Sequence, residues 1–106
     1  DMSEYVKFLI FAATNTPNIF IVALTGDYVY RLGVMQLLYD YLSPDTIAKP
    51  NPSTGIITFT NGAKIKLASD LASIRGTKPD IVITREKNNP HYMFFPHTCF
   101  FHIIDS

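Results

Sequence analysis

Apolar positions along this chain follow two periods. Over Glu4–Thr14 (EYVKFLIFAAT), Tyr5, Phe8, Leu9, Ala12 and Ala13 share one helical face, and Val6, Ile10 and Phe11 make the other face apolar too. The pattern predicts a mostly buried helix with Ser3 as its N-cap. Asn15-Thr16-Pro17-Asn18 ends it, because a proline holds the preceding residue away from helix. Ile19–Leu24 is apolar at every position, which predicts a strand covered on both faces. Thr25-Gly26-Asp27 reads as a turn and cap. A second helix is expected over about Tyr28–Leu42, with Val29, Leu32, Met35 or Gln36, and Tyr39 in one stripe and Leu37, Leu38 and Leu42 widening it. Ser43-Pro44-Asp45 stops that helix, and Lys49–Thr54, with two prolines and an asparagine, reads as loop.

The period then changes to two. Ile56–Phe59 and Lys64–Ala68 flank Asn61-Gly62, a hairpin signal because both residues tolerate the positive φ of a type I′ turn. A polar connection containing Arg75-Gly76 leads to Asp80–Ile83, a short β-branched run suited to a buried strand. Arg85, Glu86 and Lys87 follow at its carboxyl end, where ligands collect in open α/β sheets. After Asn88-Asn89-Pro90 the tail is aromatic-rich, and strands are expected at Tyr92–Phe95 and Cys99–Ile104. The order predicts one α/β domain over residues 1–106, in two or three layers, around a central, partly parallel sheet.

Composition narrows the function classes. The 106 residues carry 9 basic and 9 acidic side chains, so net charge gives no argument for a nucleic-acid partner. A single cysteine, Cys99, cannot form an intrachain disulfide and reads as an inert buried thiol in an intracellular protein. The apolar run Phe8–Ala13 is too short to span a bilayer, and no basic signal-peptide start is present. Position 1 is not methionine, which suggests a fragment or a processed product.

The ordered set Gly55-Ile56-Ile57-Thr58-Phe59-Thr60-Asn61-Gly62-Ala63-Lys64-Ile65, Ala68-Ser69, Ile74-Arg75-Gly76 and Asp80-Ile81-Val82-Ile83 resembles the ATPase core of viral DNA-packaging motors, the large terminase subunits. The similarity covers roughly Ser3 to Glu86, leaving 87–106 as aromatic C-terminal strands. It implies a viral DNA-processing protein of the host cytoplasm, or of the nucleus in a eukaryotic host. It also implies phosphate contacts from Ser3 and Arg75 and a water-activating role for Glu86. The family's phosphate loop, ending in Gly-Lys-Ser/Thr, has no counterpart in Asp1-Met2-Ser3, where only Ser3 fits. Arg85 stands where the family holds magnesium with an acid, and a cation there opposes Mg²⁺. The expectation is a terminase-type fold that does not hydrolyse ATP alone. ATP would be a ligand only if a phosphate loop lies upstream.

Read without the resemblance, Pro79-Asp80, Glu86 and Lys87 suggest a Mg²⁺-dependent nuclease, with two carboxylates on the metal and the lysine on developing charge. The six-residue separation and adjacent Glu86-Lys87 fit that constellation poorly, and solvated charges at a strand end explain them better. A third reading is a non-catalytic DNA-binding or scaffold protein. Lys64, Lys66 and Arg85 are then DNA-contact candidates, though lysines alternating with Ile65 and Leu67 also suit a hairpin's solvent face. His91, His97 and His102 have no recognised metal spacing. The aromatic tail Tyr92–Ile104 suits burial or pairing into a homodimer more than base stacking.

Overall fold

A computed structural model describes residues 1–51, 55–85 and 95–103, the side chains of 49–51 excepted. The elements follow as α1 (Met2–Asn15), β1 (Phe20–Leu24), α2 (Tyr28–Tyr41), β2 (Ile47–Asn51), β3 (Ile56–Phe59), β4 (Lys64–Ala68), a 3-10 turn (Ala72–Ile74), β5 (Ile81–Thr84) and β6 (Cys99–His102). They build one six-stranded mixed sheet in the order β2-β3-β4-β1-β5-β6. Strands β4, β1, β5 and β6 run parallel, while β3 is antiparallel to β4 and to β2. The expected α/β domain with a central, partly parallel sheet is what forms.

The two faces of the sheet are covered differently. Ile21, Ala23, Ile57, Phe59, Ile65, Leu67 and Ile83 point to the face on which both helices pack, meeting Tyr5, Val6, Leu9, Val34 and Leu38 in one core. The alternate residues Val22, Leu24 and Val82 point the other way and meet Leu71, Ile74 and Phe95. So β1 is buried on both faces, as its unbroken apolar run predicts. The second face has no α-helix on it among the described residues, only the 3-10 turn and its flank beside β1 and β5, and its β3–β4 part carries half-buried Ile56 and Thr58, exposed Lys64 and half-buried Lys66.

The expected hairpin forms between the expected segments, Ile56–Phe59 and Lys64–Ala68. Its turn is not type I′. Gly62 alone takes positive φ, at 89°, while Asn61 does not. Gly62 N–H bonds Phe59 C=O at 3.0 Å and Phe59 N–H bonds Ala63 C=O at 2.8 Å. A turn over Phe59–Gly62 followed by a left-handed glycine gives a bulged hairpin loop. The Asn61 side chain is committed elsewhere, donating to Ala13 C=O at 2.8 Å and accepting from Ala63 N–H at 2.9 Å. It ties the hairpin tip to the end of α1. A side chain at Gly62 would collide with Asn18 Oδ1 as well as strain the backbone.

Other expectations are corrected. Lys49–Asn51 is not loop, because β2 runs over Ile47–Asn51 and contains Pro50. A proline is tolerated there because β2 is an edge strand, with one side free of ladder partners. The N-cap of α1 is Asp1, whose carboxylate accepts from Glu4 N–H at 3.0 Å; Ser3 lies inside the helix. The helix is buried on one face only, since Phe11 is 67% exposed. Cys99 is exposed rather than buried, because β6 is the opposite edge strand: Cys99 and Phe101 point to the helix-bearing face, where Phe101 still meets Phe8 at 5.8 Å but Cys99 lies open. Of the expected aromatic strands, Tyr92–Phe94 and the tail from Ile104 lie outside the described residues, and β6 accounts for the second.

Candidate functional site

Both helices start at the edge where the parallel strands end. Helix α2 follows β1 through Thr25-Gly26-Asp27, and Asp27 caps it by accepting from Tyr30 N–H at 2.7 Å. Beyond the strands, Thr25 N–H and its hydroxyl both donate to Ala68 C=O, at 2.8 and 3.2 Å, and Gly26 N–H bonds Ser69 C=O. These bonds prolong the β1–β4 ladder past its last residues. On the other side of β1, Tyr5 of α1 does similar work. Its hydroxyl is directed at Leu24 C=O, 2.8 Å away, and at Ile83 C=O, 3.2 Å away. The first turns of α1 are thereby anchored to the carboxyl ends of β1 and β5.

An aromatic and cationic stack completes this edge. The rings of Tyr5 and Tyr30 meet edge to face at 5.9 Å. The Arg85 guanidinium carbon lies 3.7 Å from the Tyr30 ring centroid, a cation–π contact. Arg85 is thus held as a packing group over α2, at the position where the resemblance expects a magnesium acid. Tyr5 and Tyr30 escape sequence reasoning because both read as ordinary helix-face aromatics; nothing in their spacing shows that the first turns of two helices meet.

The remaining candidates are dispersed. Ser3 shares a hydrogen bond of 2.8 Å with the Tyr41 hydroxyl. The first-turn N–H of Glu4, a natural phosphate donor, is already bonded to Asp1. Arg75 is exposed at the end of the 3-10 turn. From there Gly76–Asp80 leads to the amino end of β5, the end opposite Arg85. Asp80 sits at that far end, its carboxylate accepting from Phe20 N–H at 2.8 Å, so it fixes the start of β1 beside β5. Lys64 and Lys66 lie on the helix-free face. Glu86, Lys87 and His91 lie outside the described residues, while His97 is exposed and His102 half-buried. Among the described residues no cluster of histidine, cysteine or acidic side chains could hold a metal, and no helix is long and apolar enough to cross a membrane. No protein family, curated protein or solved structure matches the chain.

Proposed function

We propose that this chain is a viral DNA-processing domain with a terminase-type fold that does not hydrolyse ATP by itself. One observation carries the reading: Tyr5 brings the first turns of α1, with Ser3, to the carboxyl end of β5, the two places between which the resemblance implies a nucleotide. Two features of the same edge support the non-hydrolytic part. Asp1 occupies a first-turn donor of α1, and Arg85 packs on Tyr30 where an acid would hold Mg²⁺. The purified chain should bind DNA with an affinity that falls steeply with salt, and release no phosphate from ATP and Mg²⁺. Absence of DNA binding overturns the DNA role, a salt-independent response points to a protein partner, and phosphate release overturns the loss of chemistry.

The nuclease reading draws less support. Asp80 and Arg85 bracket β5, roughly 16 Å apart at about 3.3 Å per residue, and Glu86 follows Arg85. That spacing leaves no shared metal between Asp80 and a residue at the far end. Self-association through the tail has one supporting feature. Edge strand β6 shows exposed Cys99 and a Phe101 that is 43% exposed, whereas the other edge is guarded by Pro50. A homodimer in sedimentation, weakened by Phe101→Lys, is the expected result; a monomer at every concentration removes it.

A further inference from the structure

The helix-free face of the sheet has a built row of side chains that the resemblance does not use. Register places Phe20 of β1 beside Lys64 of β4, and Val22 beside Lys66. On the other flank of Lys64 and Lys66 come Thr58 and Ile56 of β3. Phe20 is half-buried, with Lys64 exposed next to it, and the two line a depression of about 430 Å³ with Asn18, Ile19, Ile56 and Gly62. Neither lysine has an ion-pair partner among the described residues. The acid nearest in register, Asp80, stands on the far side of β1 and is engaged by Phe20 N–H.

We infer that this open face binds single-stranded nucleic acid, with Phe20 as a stacking platform for a base and Lys64 and Lys66 as contacts to consecutive phosphates. The two lysines are one pleat repeat apart, about 7 Å along β4, so they can follow a single extended backbone. Cations alone would suit a duplex or an acidic protein equally. The aromatic ring in a depression favours an unpaired strand, because bases within a duplex already stack on one another and cannot reach it. The inference rests on the DNA-processing reading only in preferring a nucleic acid to an acidic protein.

The test is fluorescence anisotropy with a labelled oligothymidylate of about 15 nucleotides, a length suited to one small binding face. The double variant Lys64→Glu/Lys66→Glu should bind at least about tenfold more weakly, and its dependence of log affinity on log salt should flatten by about 1.4, at about 0.7 per lost contact. Phe20→Leu should bind about tenfold more weakly with the salt dependence retained, as loss of stacking requires. Lys7→Glu, on exposed helix surface, should bind as the parent does. Thermal melts establish that each variant is folded; should Phe20→Leu fail there, Phe20→Tyr, which keeps the ring, must bind normally. Binding by the parent that survives the double lysine change overturns this face while leaving the DNA role standing. No binding of any DNA overturns both. Equal affinity for a duplex of the same length, or displacement of the oligonucleotide by polyglutamate at equal charge, also overturns the single-strand assignment.

Discussion

Replacing Tyr5 by alanine should destabilise the domain by about 4 kcal/mol, the usual scale for emptying a buried aromatic site. Tyr5 is wholly buried and touches β1 and β5 through its hydroxyl and α2 through its ring. Small domains are stable by only about 5–15 kcal/mol, so this single change removes much of the total. Tyr5→Phe separates the two contributions. The ring and its contact with Tyr30 remain, but the donor to Leu24 and Ile83 is lost, which should cost about 1–2 kcal/mol. Urea unfolding measures both, and hydrogen exchange should show faster opening at the ends of β1 and β5 in Tyr5→Phe. If Tyr5→Phe matched the parent in both measurements, the hydroxyl would not be what holds the edge together. The terminase-type reading would then lose its main support.

Phe59→Ala should cost a similar amount, about 4 kcal/mol, while Ile56→Ala, three residues earlier on the same strand, should cost about 1 kcal/mol. The contrast follows from the sheet's unequal cover. Phe59 points to the helix-covered face and is 1% exposed, and a truncation there leaves a cavity walled by packed elements. Ile56 points to the helix-free face and is half-buried, so water can follow the lost atoms. Denaturant midpoints of the two variants decide the matter. Equal losses would mean that the second face is covered in solution, and the binding surface around Phe20 and Lys64 would then be closed.

These two expectations also show where sequence and structure part. The hairpin segments, the doubly covered β1 and the Asp27 cap were legible because each depends on neighbours within a few residues. Alternation over Ile56–Phe59 and Lys64–Ala68, the unbroken run Ile19–Leu24 and the capping carboxylate three residues ahead of Tyr30 N–H are local patterns. Pro50 misled because its cost depends on strand position: it excludes an interior strand but not an edge, and edges are defined by pairing. Cys99 misled for the same reason, as an apolar neighbourhood buries a residue only when something covers the strand. Asn61-Gly62 signalled the turn but not its type, because α1 claims the Asn61 side chain from 48 residues away.

By itself the sequence determined the fold class, the two helices, β1 and the hairpin, since periodicity and capping act over one or two turns. Only the tertiary structure decided the edge. It placed Arg85 over Tyr30, set Tyr5 against the ends of β1 and β5, sent Asp80 to the opposite end and left Lys64 and Lys66 on the face that carries no α-helix among the described residues. Each of these depends on residues far apart in the chain. Their meeting is set by strand order and by which face the helices cover, and no local pattern encodes either.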